Sequence, residues 1–489
     1  MNHNYSSDAR IIKNYVFLSL TGVLIGSAFI VACNFPQRWF YAAVAGMVLL
    51  SILMISIDHI EKLLFFLFVF SLSIELGVSF FYEPYSGGGH ELRLSLSDIF
   101  FVMLLASWRR ATINRNKADK LDKKLSLTIA IFIILSILSL FAAINIPLGL
   151  FEIIRLIKVM FIFFFFAYYI DSQNKLNTAI SISLIALLAH LFIGAFQWIY
   201  DKDLGLGILG ERSMQLNEWS SVPLVRIGGL IGHPNAFALY LTITLPLCLY
   251  MFVHEKRPHH RIFYITLLIS GTLMIIATQS RGAWAACFLG FAMVSVIFLI
   301  RAKRYKINRL VIMSCILIIT GILASLSYKV INKRIMLDDK KSAASRIPMM
   351  IDSLNMIKHN PLIGVGINNY TLAIPSYDVT GIHHIWRDTV VHNLFLLVAA
   401  ESGIFSSICF IVIWMAVMMI VAKIIGRPRK EQFVLGLSFL FSITSFLVIS
   451  MVDPNYRFYP AVQRQLWFVV GLILAAYRLF PRKAEPTSK

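Results

Sequence analysis

Residues 390–422 read VVHNLFLLVAAESGIFSSICFIVIWMAVMMIVA. In this run the one charged side chain is Glu401, and one histidine, His392, stands near its start. A helix that crosses a bilayer needs about 20 predominantly apolar residues. The run therefore reads as a membrane helix, and it is too long for one straight span. It must tilt, kink or extend beyond the hydrocarbon. A histidine at its mouth and a glutamate inside it are costly there and ask for a partner or a task.

The rest of the chain agrees with this reading. Of 489 residues, 58% are apolar and 14% charged, and the mean hydropathy is +0.75. That composition excludes a soluble protein of this size and predicts a polytopic membrane protein. The same ruler finds about 14 candidate spans: 15–33, 39–57, 63–81, 95–107, 125–146, 150–170, 178–199, 228–253, 262–279, 282–300, 310–328, 390–422, 433–452 and 466–480. The fourth and last are short, and the fourth is a candidate re-entrant segment. The first run lies between Lys13 and Arg38 and lacks a small-residue cleavage site, so it reads as a retained helix, not a signal peptide. The fold expected is all-α and polytopic, with about 12–14 transmembrane helices and one large extracytoplasmic loop carrying short amphipathic helices. Residues 1–328 would hold the first eleven spans, 329–389 the loop, and 390–489 the C-terminal spans.

Charge orients the bundle. The chain has 45 Lys and Arg and a net charge of +20. With the N-terminus inside, the inner segments hold 27 of them, the short outer loops 8 and the long loop another 8. Cytoplasmic loops carry such an excess, so both termini are expected in the cytoplasm. The positive charge is then a matter of topology and anionic lipid, not of nucleic acid. The five cysteines (Cys33, Cys248, Cys287, Cys315 and Cys409) form no CxxC pair and read as small core residues. In the long loop, Ile347, Met350, Ile351, Leu354 and Ile357 recur at helical spacing before Pro361 and Gly364. They predict a short amphipathic helix on the outer membrane surface.

This orientation gathers several expensive polar groups at one outer depth. Arg281 falls in the turn TQSRGAW. Arg226, His233 and Asn235 fall in VRIGGLIGHPNAF, and His392 opens the run quoted above. Arg155 and Lys158 begin a span from the same side, with Glu152 beside them, and Arg346 begins the loop helix. Each has a structural alternative. The arginines can snorkel to headgroups, His392 can be an interfacial histidine, and Glu152, Arg155 and Lys158 can form a local ion cluster. Glu401 reads as a structural polar group paired within the bundle. His383 and His384 lie in the loop, and His254, His259 and His260 lie in an inner basic segment; all five read as inert. No metal site is expected: there is no HExxH, and Asp338 and Asp339 are flanked by lysines. No Walker A motif or dinucleotide fingerprint is present, so no cofactor is expected.

In order and spacing, RIGGLIGHPNAFALYL, SRGAW, HNPLIGVGINNY and HNLFLLVAAESG resemble the O-antigen ligase and O-antigen polymerase family of membrane glycosyltransferases. The similarity covers roughly residues 150–420. It implies transfer of a glycan from a polyprenyl diphosphate carrier to an acceptor glycan or lipid at the outer face of the cytoplasmic membrane, without a metal. His392 would be the catalytic base, and Arg226 and Arg281 would bind the diphosphate. Arg155, Lys158, Arg346 and Asn235 are further substrate-binding candidates. Ser406 departs from the pattern where a second glycine often follows Gly403, which weakens the ligase branch more than the family. The reading is a polymerase of cell-surface or cell-wall polysaccharide, of the teichuronic-acid type, working with membrane lipids and polysaccharide-assembly partners. The alternatives are a ligase, a flippase of lipid-linked oligosaccharides and a non-catalytic scaffold. The chain shows neither the repeated halves nor the midplane charges that a flippase calls for, and nothing positive supports a scaffold.

Overall fold

The structure is a computed structural model and describes residues 60–85, 87–107, 120–212, 226–301, 346–381 and 389–480. The expected spans 15–33, 39–57 and 310–328, and His383 and His384, lie outside the described residues. The described elements are helical except for one hairpin, Gly77–Phe80 (β1) with Leu92–Ser95 (β2), in which Gly77 faces Ser95 and Phe80 faces Leu92. Among the described residues, seven helices are long and apolar enough to cross a membrane. The chain is an all-α polytopic membrane protein.

Two compact units can be told apart. The smaller one takes in residues 1–68 and 97–112. Its described part belongs to helices Ile60–Ser71 (α1) and Leu96–Ser107 (α2), where Phe68 packs on Phe101 with ring centroids 5.3 Å apart. The larger unit, residues 69–96 and 113–489, holds all that follows.

One expected span is not a single helix. Residues 63–81 leave the helical state at Ser71 and run into β1. The reason is in the sequence. From Leu72 to Phe80, apolar and polar or small residues alternate strictly, which is the period of a strand. Tertiary bonds hold the extended path: Arg464 donates from Nε to Leu72 O at 2.8 Å and from Nη2 to Ile74 O at 2.9 Å. Glu75, buried beside it, sits between Arg93 and Arg464.

The next helices are Lys120–Leu138 (α3), Ile146–Tyr169 (α4), Gln173–Tyr200 (α5), Pro234–Thr244 (α6), Leu247–His254 (α7), Pro258–Ala277 (α8) and Arg281–Arg301 (α9). The expected span 228–253 is divided. A 3₁₀ turn, Gly229–Ile231, precedes α6, and Pro246 separates α6 from α7. Proline supplies no N–H there, and the ladder passes through tighter bonds from Cys248 N to Leu245 O and from Leu249 N to Pro246 O.

The loop segment carries Arg346–His359 (α10) and Tyr370–Tyr377 (α11). Met349, Asp352, Ser353 and Met356 of α10 are buried, while Ile347, Ile351 and Leu354 are 65%, 45% and 53% exposed. The apolar stripe read from the sequence is thus the face turned away from the protein. Asp352 fastens the segment by accepting from Val379 N and Thr380 Oγ1.

Leu394–Ile425 (α12), Lys430–Ser450 (α13), Asn455–Phe458 (α14) and Pro460–Leu479 (α15) complete the described elements. Every residue of α15 from Ala461 to Ala476 is buried, including Gln463, Arg464 and Gln465. Gln465 Nε2 donates to Ser183 Oγ at 2.9 Å and to Thr244 Oγ1 at 3.0 Å, which ties α15 to α5 and α6. The expected last span began at 466 because these polar residues break the apolar run. The tertiary partners of Arg464 and Gln465 let the helix begin at Pro460.

The long run divides at Gly403, whose φ of 83° and ψ of 168° interrupt α12. The loop Pro361–Gly366 fills the break. Val365 N donates to Ala400 O at 2.9 Å, Gly366 N to Glu401 O at 3.0 Å, and Ile404 N to Pro361 O at 2.9 Å. Every backbone group released by the kink that these bonds reach is satisfied by the loop, as buried backbone requires. A Cβ at Gly403 would collide with the Leu362 carbonyl. The sequence motifs HNPLIGVG and HNLFLLVAAESG are therefore two sides of one joint.

Candidate active site

The site forms where α6, α9 and α12 begin and α13 ends, beside Arg346 of α10. Arg226 donates from Nε to Thr278 O at 3.0 Å and from Nη2 to Asn235 Oδ1 at 2.6 Å. Asn235 lies in the first turn of α6, after His233 at the N-cap and Pro234. Its amide turns the other way and donates from Nδ2 to Asp453 Oδ2 at 2.9 Å. Asp453 Oδ1 accepts from Asn455 N, also at 2.9 Å. The turn after α8 joins two arginines. Thr278 holds Arg226, Gln279 adopts a left-handed φ of 54°, and Arg281 opens α9. Gly282 packs directly on Val452, with room for no bulky side chain, so the head of α9 lies against the residue before Asp453.

His392 stands two residues before α12. Its neighbour Asn393 caps that helix by accepting from Phe395 N and Leu396 N, and it donates from Nδ2 to Met451 O at 3.2 Å. This brings His392 beside Asp453. Each is within the electrostatic reach of the other, and both feel Arg346. Arg346 in turn feels Arg281. Among the described residues no hydrogen bond or ion pair engages the Arg346 guanidinium. His233 stacks on Tyr459 at a centroid distance of 5.4 Å, and the Arg212 guanidinium lies 5.6 Å from the same tyrosine ring.

Electrostatically the cleft is positive. Among the described residues there, Arg212, Arg226, Arg281 and Arg346 outnumber the carboxylate of Asp453. Arg281 sits at a helix N-terminus, whose unsatisfied N–H groups add to the field. Burial holds His392 below the usual imidazole range, against the pull of Asp453 and with the help of Arg346. Burial, aided by Arg226, Arg212 and His392, pushes His233 down to about 3. Both imidazoles are thus neutral near pH 7. His392 Nδ1 is buried and has no hydrogen-bond partner among the described residues. Among the described residues no three His, Cys, Asp or Glu side chains converge as a metal site. The arrangement can hold a doubly charged anion beside a neutral base.

A second polar group lies nearby. Arg457 in α14 pairs with Glu152 of α4 and donates from Nη2 to Glu401 Oε2 at 2.9 Å. Glu152 also pairs with Arg155. Beside this network, Phe132, Leu156, Phe410 and Trp467 line a small pocket of about 30 Å³.

Residues 265–411 match the family model described as O-antigen ligase. The chain is also 20% identical, over 376 residues, to the teichuronic acid biosynthesis protein TuaE of Bacillus subtilis (strain 168), a match covering 74% of this chain and 73% of that protein. Over this region the chain thus resembles the O-antigen ligase/polymerase proteins. It is a multi-pass membrane protein. The family match takes in Arg281, Arg346, His392 and the Gly403 joint, and it leaves Arg226, Asn235 and Asp453 outside.

Of the residues singled out in the sequence, the structure brings Arg226, Asn235, Arg281, Arg346 and His392 together. Arg155 and Lys158 are engaged elsewhere, Arg155 with Glu152 and Lys158 with the Arg93 carbonyl at 2.8 Å. Glu401 is held by Arg457. Sequence reasoning passed over Asp453 and Arg457. The available signal was the stretch MVDPNYRF, residues 451–458, which places two opposite charges four residues apart at the joint between two apolar runs.

Proposed function

We propose that this protein polymerises polyprenyl-diphosphate-linked glycan repeat units at the outer face of the cytoplasmic membrane. The observation that carries the reading is His392 lying beside the buried Asp453 and within the field of Arg346, in the same constellation as Arg226 and Arg281. In the reaction, an acceptor sugar hydroxyl attacks the anomeric carbon of the donor glycan. The new glycosidic C–O bond forms as the bond to the diphosphate oxygen breaks, and polyprenyl diphosphate leaves with the electron pair. The hydroxyl proton passes to His392, a transfer worth roughly 10²–10⁴ in rate. Arg226, Arg281 and Arg346 stabilise the charge that develops on the diphosphate, through contacts that guanidinium forks make bidentately. Asn235 orients Arg226 and Asp453 at once, and no step calls for a metal. The inner excess of Lys and Arg supports cytoplasmic termini and an outward-facing site. The similarity to the Bacillus teichuronic acid biosynthesis protein supports a cell-wall polysaccharide as product. Ser406, where a second glycine is common, favours a polymerase over a ligase.

The test is chain growth in nanodiscs with purified protein and lipid-linked repeat units, without nucleotide or metal. Products longer than one repeat support the reading. Growth only when a separate lipid acceptor is supplied would assign the ligase reaction instead. Turnover that requires an added divalent cation would refute the metal-free mechanism.

A further inference from the structure

The segment from Met451 to Arg457 runs beside the first half of α12 and is stitched to it at two points. At one end Asn393, next to His392, donates to Met451 O at 3.2 Å. At the other, Arg457 Nη2 donates to Glu401 Oε2 at 2.9 Å. His392 and Asp453 face each other between these stitches. The segment is itself a tight unit, because Arg457 N bonds to Pro454 O at 2.7 Å and Asn455 N bonds to Asp453 Oδ1 at 2.9 Å. Movement of Arg457 therefore moves Asp453.

The second stitch is anchored on three elements. Arg457 also pairs with Glu152 of α4, and the Glu401 carbonyl is clamped by Gly366 N from the loop that carries α10. Arg457, Glu401 and Glu152 are 6%, 2% and 0% exposed. Buried ion pairs are poor devices for stability, since apolar residues of like volume often do as well or better. Their best-attested use is to fix register, and here the register is that of the active-site pair. We infer that Arg457 is a positioning residue, whose clamp to Glu401 and Glu152 sets the separation of Asp453 from His392. The inference rests on the reading of His392 given above.

The test replaces both partners of one pair, Arg457→Gln with Glu401→Gln. One positive and one negative charge are removed together, and Glu152 keeps Arg155. Thermal stability in detergent, kcat, KM for the lipid-linked donor and the pH profile are measured. A misplacement on the order of 1 Å costs roughly 100-fold in rate. We therefore expect a folded protein with KM within about twofold of wild type and kcat down roughly 100-fold. The acid limb of the profile should move to lower pH as Asp453 draws away. The charged or titratable groups facing His392 are Asp453, Arg346 and His233, and the variant removes none of them. Arg457→Lys, which keeps the charge but replaces the fork with a point charge, should show the same loss of kcat and the same shift of the limb in smaller measure. If the double variant does not fold, Arg457→Lys decides alone: a displaced limb supports the inference, and a wild-type limb with wild-type kcat overturns it. Wild-type turnover per folded molecule in the double variant also overturns it, because Arg457 then serves stability only. An active His392→Ala enzyme would instead sink the underlying reading, so the two failures are distinguishable.

Discussion

Gly403→Ala tests whether the joint between α12 and the loop is what holds the site together. The φ of 83° with ψ of 168° lies in a region that only glycine occupies freely, and such a conformation costs a residue with a side chain about 1–3 kcal/mol. The new methyl would also collide with the Leu362 carbonyl. Relief requires the loop to lift, which breaks the bonds made by Val365 N, Gly366 N and Ile404 N. Three such bonds at about 0.5–1.5 kcal/mol each, added to the backbone cost, give roughly 3–7 kcal/mol. That is a large part of a stability on the order of 5–15 kcal/mol. The comparison is Gly205→Ala, where φ is +73° but no atom lies within 4 Å, so only the backbone cost applies. Both variants are followed by thermal unfolding in detergent and by polymer synthesis in nanodiscs. Gly403→Ala should lower the apparent Tm several-fold more than Gly205→Ala and abolish synthesis, because α10 and Arg346 leave with the loop. Equal shifts in the two variants would refute the joint.

Three further outcomes are expected. His392→Ala should insert normally while polymer synthesis falls by roughly 10²–10⁴ and lipid-linked repeats accumulate, read by gel analysis of membrane extracts; polymer of normal length and amount would remove the base. Arg281→Lys replaces a fork by a point charge, and loss of one charged hydrogen bond of about 1.5–3 kcal/mol should lower kcat roughly 10–100-fold; near-wild-type turnover would mean that Arg281 only snorkels. The acid limb of the pH profile marks protonation of His392, the inactive form. Arg346→Gln removes a charge that disfavours the imidazolium, so the limb should move to higher pH, whereas Asp453→Asn removes one that favours it and should move the limb to lower pH. Shifts of the opposite sign in a rate titration would contradict the arrangement.

Much of this was legible in the sequence because hydrocarbon makes polar residues conspicuous. His392, Arg226 and Arg281 stand out against apolar runs, and the length of the run 390–422 announced a break before its cause was visible. Gly403 alone did not announce it; the kink depends on a loop some 40 residues upstream in the chain. Asp453 and Arg457 escaped notice for the opposite reason. At the joint between two spans a charge looks cheap, and only the fold shows that both are buried. The segment Leu72–Phe80 was misread through overall apolarity, although its alternation was that of a strand. Asn235 was placed near the site from sequence, but its bridging of Arg226 to Asp453 needed coordinates.

The interior of α15 has a consequence for biogenesis. Arg464 and Gln465 find their partners on segments made long before, at Leu72, Ile74, Ser183 and Thr244. An arginine within a nascent helix costs about 2.5–3.5 kcal/mol on insertion into lipid when it has no such partner. Helix α15 is thus poorly suited to enter the bilayer on its own and is received by a bundle already assembled. The cleft, whose Asp453 and Tyr459 immediately precede α15, is completed only after the spans that supply those partners have been made.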